Sequence, residues 1–127
     1  DYVEMINQLP TDTILSDFIT RCNANDYVLD IGCGPAVSSF TMREHGLRVD
    51  PTDASEAMVK LANKQFDIGA RVATFDDVIA ENIDNNKNTY DGIWANFSLL
   101  HATHSELPDI LKALHRALKP KGILLQL

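Results

Sequence analysis

Cysteine, basic residues and long apolar runs are all scarce in this sequence. Its 127 residues include only two cysteines, Cys22 and Cys33, too few for the disulfide framework of a small secreted domain. No run of about 18 apolar residues occurs, so we expect no membrane-spanning segment. The first residues do not show a basic stretch followed by an apolar one, which is the pattern of a secretion signal. We therefore expect a cytoplasmic protein.

Positive charge is in short supply as well. Eleven Lys and Arg residues against eighteen Asp and Glu residues give a net charge of −7. Nucleic-acid binding depends on clustered basic groups that neutralise phosphates, and anionic membrane surfaces attract the same groups. The few basic residues here are scattered, so the sequence favours a small-molecule substrate over nucleic acid or a membrane surface.

The composition that remains is that of a globular domain. Hydrophobic residues make up 45% and charged residues 23% of the chain, close to the averages for globular proteins. The length lies within the range of about 100–150 residues that is typical of one domain. We expect residues 1–127 to form a single domain with its own core.

Helix and strand signals alternate along the chain. Helical spacing of apolar residues and capping residues predict four helices, over residues 12–22, 38–45, 55–66 and 107–118. Short apolar runs predict five strands, at residues 27–31, 47–49, 71–75, 90–95 and 122–127. The polar, Asn-rich residues 81–89 predict a surface loop. The alternation predicts an α/β fold of the Rossmann-like, doubly wound type, with a mostly parallel sheet and helices on both faces.

The loop after the first predicted strand is the first candidate site, because parallel sheets bind ligands at the carboxyl ends of their strands. Gly32 and Gly34 would let the backbone turn sharply and approach a ligand closely, and the next helix would direct N–H groups at it. Asp30 ends a buried strand, where an unpaired carboxylate is costly. Either a ligand or the amides of the loop itself would satisfy this acid.

Asp53 is the second candidate, 23 positions after Asp30. An acid about twenty residues beyond a glycine loop is where a ribose diol is held. The alternative is that Asp53 caps the helix predicted to begin near Ser55, with Glu56 completing a capping box. Asp50 is a competing acid, although Pro51 after it favours a turn.

Two further strand ends carry polar side chains. Asp76 and Asp77 follow the third predicted strand, and either could accept a hydrogen bond from an exocyclic amine or cap a short helix at 78–81. Asn96 follows the fourth predicted strand and therefore lies at the same edge of the sheet.

Four motifs in a fixed order resemble those of the class I S-adenosylmethionine-dependent methyltransferases. They are residues 28–34 (VLDIGCG), 53–58 (DASEAM), 90–95 (YDGIWA) and 118–122 (LKPKG). The resemblance covers residues 12–127, and residues 94–101 are most similar to a small bacterial branch described as methyltransferase-domain or tellurite-resistance-like. It implies an enzyme that transfers a methyl group from S-adenosylmethionine to a small-molecule acceptor.

The resemblance also implies how the candidate residues contact the cofactor. Asp30, Gly32 and Gly34 match the loop that holds the methionine part, and Asp53 matches the acid that binds the ribose hydroxyls. The remaining matches are Ala54 and Met58 as apolar neighbours of the adenine, Asp76 or Asp77 as the acid near the adenine amine, and Asn96 beside the methionine end.

Two features depart from the family pattern. Ala36 stands where the family often has a third glycine. The family's sheet has seven strands, whereas this sequence ends at its fifth, so we expect the C-terminal strands of the family to be missing. An uncovered edge at residues 123–127 is a template for strand pairing and would offer a surface for a homodimer.

A general base is needed only when the acceptor must lose a proton. His101 and His104 are the candidates, because an unperturbed imidazole titrates near neutrality; packing or capping is the alternative role of His101. The two histidines have no matching Cys or acid at ligand spacing, so we expect no metal site.

Two other functions remain open from the sequence. One is a non-catalytic cofactor-binding module or subunit. The other is a nicotinamide-dependent oxidoreductase, but its G-x-G-x-x-G loop would place a glycine at position 37, where this sequence has Val37.

Overall fold

The structure, a computed structural model, describes residues 11–84, 89–95, 112–114 and 116–126. The helices are α1 (Thr11–Arg21), α2 (Val37–Glu44), α3 (Glu56–Phe66) and α4 (Phe75–Asp84). The strands are β1 (Tyr27–Ile31), β2 (Arg48–Asp53), β3 (Arg71–Val72), β4 (Tyr90–Ala95) and β5 (Leu118–Gln126). Residues 112–114 and 116–117 are helical, within the predicted helix 107–118. None of the helices in these ranges is long and apolar enough to cross a membrane.

The five strands form one sheet in the order β3-β2-β1-β4-β5. Every neighbouring pair is parallel, so the carboxyl ends of the strands share one edge. The chain order reverses between β1 and β4, which makes the crevice beyond β1 the place where such sheets bind ligands. The predicted Rossmann-like α/β fold is confirmed.

Helices cover both faces of the sheet. Successive strand residues point to opposite sides, so each strand contributes apolar side chains to both faces. Val28 and Trp94 pack with Phe18 of α1 and Met42 of α2 on one face. Their neighbours in the strands pack on the other face with Val78 of α4 and with the helical residues before β5, in a cluster that includes Leu29, Ile31, Ile93, Ala95 and Leu114.

Strand β2 is longer than the sequence predicted, and the turn expected at Asp50 and Pro51 is wrong. Both residues lie inside β2, where Pro51 is level with Asp30 of β1. Proline lacks an N–H and normally interrupts a ladder. Within the described residues β3 pairs only with Thr52 and Asp53. The missing N–H of Pro51 therefore costs no hydrogen bond between β2 and β3.

The third strand is shorter than predicted, and a helix extends over residues 81–84 of the loop predicted at 81–89. Strand β3 ends at Val72, and α4 already begins at Phe75. The cause is a capping box: the N–H of Asp77 donates to Thr74 Oγ1 (3.1 Å), and the N–H of Thr74 donates to Asp77 Oδ2 (2.9 Å). Asp76 and Asp77 therefore lie in the first turn of a helix and not at a strand end.

Helix α3 is capped by Ser55, whose Oγ accepts a hydrogen bond from the N–H of Met58 (3.3 Å). The capping box expected from Asp53 and Glu56 is therefore wrong. The apolar residues of α3 differ in burial. Val59 and Ala62 are buried, whereas Met58 and Leu61 are about two-fifths exposed.

Strand β5 begins at Leu118 and not at the predicted Gly122. Leu118 is level with Tyr90 of β4, and the register then shifts before Gly92 pairs with Ile123. The N–H of Thr89 also donates to the carbonyl of Ala117 (2.9 Å). Residues 119–122 are absorbed by this irregularity in the ladder, as in a β-bulge.

Candidate functional site

The loop between β1 and α2 turns at the carboxyl edge of the sheet. The N–H of Cys33 donates to the carbonyl of Thr52 (2.9 Å), and the N–H of Ala36 donates to the carbonyl of Cys33 (2.9 Å). Gly34 has a φ of 55° and no atom within 4 Å of where a Cβ would lie, so an open space faces its Cα. Ala36 adopts a φ of 67° and is fully buried, which makes it an alanine in a conformation that favours glycine.

Asp30 lies at the base of this loop and is almost completely buried, with 1% exposure. Its Oδ2 accepts a hydrogen bond from Ser39 Oγ at 2.5 Å. Burial raises the pKa of Asp30 to about 7, the Ser39 hydrogen bond opposes the rise, and the carboxylate of Asp53 adds to it. Within the described residues the other oxygen, Oδ1, has no hydrogen-bond partner, so an acid with one free acceptor lies beneath the loop.

Asp53 ends β2 beside the same loop, with 8% exposure. Its Oδ2 accepts a hydrogen bond from the N–H of Gly34 and its Oδ1 accepts one from the N–H of Ser55, both at 2.8 Å. The carboxylate thus joins the loop after β1 to the turn after β2. Because a carboxylate offers about four acceptor positions, two remain for a ligand that enters the crevice.

Ala54 and Met58 follow Asp53 and are both exposed. Met58 is about two-fifths exposed although it lies on a helix that packs on the sheet. An exposed thioether next to the carboxyl edge is a soft apolar surface of the kind that accommodates planar groups. Both residues follow Asp53 in the chain, and their contact with an adenine stays a prediction.

Asp76 and Asp77 are exposed in the first turn of α4. The backbone N–H of Thr74, followed by its side chain, holds the pKa of Asp77 below its ordinary value. Because Asp77 is committed to the capping box, Asp76 is the acid of the pair whose carboxylate bonds to no other group among the described residues.

Three of the predicted residues lie outside the described residues, namely Asn96, His101 and His104. The proposals for the methionine end of the cofactor and for a general base therefore remain sequence-based predictions.

Cys33 lies inside the loop but is not activated as a nucleophile. Burial raises the pKa of its thiol to about 12, and the carboxylates of Asp30 and Asp53 add to the rise. The thiol therefore stays protonated at neutral pH. Its side chain packs against the cluster around Ala36 and Val59, so Cys33 fills space in the loop.

Sequence reasoning missed Ser39. The residue is fully buried on the third position of α2. A signal was present, because Ser39 and Met42 are three positions apart on the inward face of the helix. A hydroxyl at a core-facing position has to find a hydrogen-bond partner, and the nearest strand end carried an acid.

A cavity of about 500 Å³ also lies between α1 and α2. Its walls include Leu15, Ile19, Val37 and Thr41. None of the predicted cofactor-binding residues lines this cavity, so we place the site by the acids and the glycine loop at the edge of the sheet.

The sheet order and this edge define a Rossmann-like α/β domain, a fold that binds ligands at the carboxyl ends of its central strands. Comparison with known proteins narrows the class. Residues 28–122 match the family model described as methyltransferase domain. The chain belongs to this family and to the class I S-adenosylmethionine-dependent methyltransferase superfamily, as its motifs indicated. The tellurite-resistance-like branch is not singled out by these matches and stays a prediction.

Two curated relatives and one solved structure illustrate the likeness. The chain is 33% identical over 100 residues to a cypemycin N-terminal methyltransferase of Streptomyces sp., covering 75% of this chain and 38% of that protein. It is 27% identical over 120 residues to an uncharacterized methyltransferase of Synechocystis sp., covering 94% of this chain and 52% of that protein. The chain therefore spans about half or less of the length of the curated relatives it matches.

The solved structure is the magnesium protoporphyrin IX methyltransferase of Synechocystis with bound S-adenosylmethionine. The TM-score is 0.69 at 19% identity, over 85% of this chain and 52% of that chain. At this identity the likeness supports the fold.

Proposed function

We propose that the chain forms the cofactor-binding core of an S-adenosylmethionine-dependent methyltransferase that acts on a small-molecule acceptor. The observation that carries the proposal is the pairing of two buried acids across the glycine loop. One carboxylate oxygen of Asp30 has no hydrogen-bond partner among the described residues. Asp53 Oδ2 accepts a hydrogen bond from the N–H of Gly34 at 2.8 Å. This donor and acceptor set suits a ligand with a cationic amino group at one end and a diol at the other.

The residues fit S-adenosylmethionine in this way. We infer that Asp30 accepts a hydrogen bond from the amino group of the methionine part. Because Gly34 has no side chain, the backbone of the loop can lie close to that part of the cofactor. Asp53 would accept the ribose hydroxyls, and Ala54 and Met58 would contact the adenine, with Asp76 near its amine. When bound, the sulfonium supplies an already activated methyl group, so the protein has mainly to bind and orient the reactants.

The acceptor is proposed to be a small molecule because the chain carries a net charge of −7 and would repel polyanions. The Streptomyces relative is named for methylating an N-terminus. Short peptides with a free amino terminus therefore belong in an acceptor panel beside small amines, alcohols and thiols.

The first test is calorimetric titration of the chain with S-adenosylhomocysteine and, in parallel, with NAD. We expect binding of the first ligand only. Binding of NAD alone would overturn the proposal in favour of an oxidoreductase, an alternative that Val37 in place of the third glycine of that motif already disfavours.

We predict that Asp53→Ala weakens S-adenosylhomocysteine binding by about 1–3 kcal/mol, because charge-assisted hydrogen bonds are lost. That loss corresponds to roughly 5- to 150-fold in Kd. Asp17→Ala is the matched control, since Asp17 is exposed and, among the residues that the structure describes, bonds only to Arg21 one helical turn away. Unchanged affinity of a folded Asp53→Ala protein would leave Asp53 with a structural role alone.

A second candidate function is a cofactor-binding module that does not transfer the methyl group by itself. The observation that favours it is the span of the chain, which matches 52% and 38% of the two relatives. Transfer of a labelled methyl group to any member of the acceptor panel would exclude this candidate. Tight cofactor binding without transfer would support it.

A further inference from the structure

Ser39 and Asp30 form a hydrogen-bonded pair of buried polar side chains inside the protein. Ser39 is fully buried and Asp30 is 1% exposed. The hydroxyl donates to Asp30 Oδ2 at 2.5 Å, which is within the short range of O–H···O⁻ hydrogen bonds. The bond joins the first turn of α2 to the end of β1. It leaves Oδ1 of the same carboxylate without a hydrogen-bond partner among the described residues.

The surroundings of Asp30 offer no other support for a negative charge. The carboxylate of Asp53 in β2 repels a negative charge on Asp30, and the Cys33 thiol in the loop is neutral. The next strand, β4, places Trp94 level with Asp30, and indole carries no charge. Within the described residues no cation acts on Asp30, so the Ser39 hydroxyl is the group that favours its ionised form.

We propose that Ser39 is a positioning residue: its hydroxyl fixes one oxygen of Asp30 so that the other oxygen is presented, ionised, to the amino group of the cofactor. The proposal rests on the proposed function, because it assumes that Asp30 receives the amino-acid part of S-adenosylmethionine. It gives cofactor binding a dependence on pH near neutrality that a merely structural serine would not produce.

The experiment measures S-adenosylhomocysteine affinity by calorimetry between pH 6 and pH 8.5. For the unaltered chain we expect affinity to fall as the pH drops through about 7, because Asp30 then gains a proton. In Ser39→Ala the midpoint should move up by about one pH unit, with roughly fivefold weaker binding at pH 7 and recovery at pH 8.5. In Asp30→Asn the dependence should be flat.

Ser38→Ala is the matched control, because the neighbouring serine lines the cavity between α1 and α2 and does not bond to Asp30. Its midpoint should equal that of the unaltered chain. Adenosine, which lacks the amino-acid part, should bind Ser39→Ala and the unaltered chain equally and without this dependence on pH.

An unshifted midpoint in Ser39→Ala, or a loss of affinity that is the same at every pH, would overturn the proposal. If circular dichroism shows that Ser39→Ala does not fold, Ser39→Cys decides the question with a weaker donor of similar size: a raised midpoint supports the proposal, and an unchanged one overturns it. Failure of S-adenosylhomocysteine to bind the unaltered chain at any pH would instead sink the proposed function.

Discussion

At the scale of single residues, Asp53 shows how one side chain can serve the fold and a ligand together. The sequence left two roles open for it, a ribose contact or a helix cap. In the structure both carboxylate oxygens accept backbone N–H groups, from Gly34 and Ser55, while Ser55 itself caps α3. Neither hydrogen bond uses up the second lone pair of its oxygen, so the ribose role remains open.

Thr74 and Asp77 form a helix capping box within a segment that the sequence analysis predicted to be a strand. The pair closes the amino end of α4 by two reciprocal hydrogen bonds. Thr-x-x-Asp is a variant of the familiar Ser/Thr-x-x-Glu box. The apolar residues beside Thr74, which are Val72, Ala73 and Phe75, suggested a strand. The local hydrogen bonds override that propensity, because they satisfy helix N–H groups that would otherwise lack partners.

We predict that Thr74→Ala lowers the free energy of unfolding by about 0.5–2 kcal/mol, the usual cost of losing a helix cap. Urea denaturation followed by circular dichroism measures this change. Thr20→Ala is a suitable control, because Thr20 is exposed and the one described partner of its hydroxyl is the carbonyl of Ser16 within α1. Equal stability of the Thr74 variant and the unaltered chain would show that the box contributes nothing.

At the scale of elements, Arg71 explains how the short strand β3 is held to the sheet. Its guanidinium donates to both oxygens of Asp50 in β2 (3.0 Å each) and to both oxygens of Glu81 in α4 (2.7 and 2.9 Å). The hydroxyl of Tyr90 in β4 donates to the same Asp50 (2.7 Å). A planar fork can serve two carboxylates at once, so two paired residues of β3 suffice to fix this edge.

The irregular start of β5 yields a prediction at the same scale. A Cβ added at Gly122 would lie 2.9 Å from the carbonyl oxygen of Lys119 and 3.0 Å from that of Asp91. Backbone atoms cannot move aside as a flexible side chain can, so we predict that Gly122→Ala destabilises the fold by about 1–3 kcal/mol, as overpacking does.

Thermal denaturation compares this variant with Gly46→Ala, where no atom lies within 4 Å of the added Cβ and only the positive φ opposes the change. If the ladder of β4 and β5 is as described, Gly122→Ala melts at the lower temperature. The reverse order would show that β5 does not pass this close to β4.

At the scale of the whole molecule, the buried acid Asp30 sets a pH dependence of stability. Its pKa in the folded chain is about 7, above the value of an exposed aspartate, because burial disfavours the charged form. The stabilisation that comes from the neutral acid is therefore complete below about pH 4 and is lost as the pH rises to about 7.

We predict that the difference in unfolding free energy between the unaltered chain and Asp30→Asn changes across this window, to the disadvantage of the unaltered chain as the pH rises. The expected size is about 1.4 kcal/mol for each unit of pKa shift. Urea denaturation of both proteins without cofactor, at pH 4.5, 6 and 7.5, measures it. If the difference in unfolding free energy is the same at all three pH values, the pKa of Asp30 does not differ between the folded and unfolded chain as described.

The sequence by itself determined the five strands, the parallel sheet and the acids at the ends of β1 and β2, although it did not give helix α4. It could do so because apolar periodicity and glycine turns act locally. Only the tertiary structure decided that Pro51 lies within a strand, that Met58 is exposed while Val59 is buried, and that Ser39 meets Asp30. These outcomes depend on which groups lie opposite one another across the sheet, and spacing along the chain does not specify that. Hydrogen bonds between residues nine or nineteen positions apart form only once the strands are packed, and they set the candidate site.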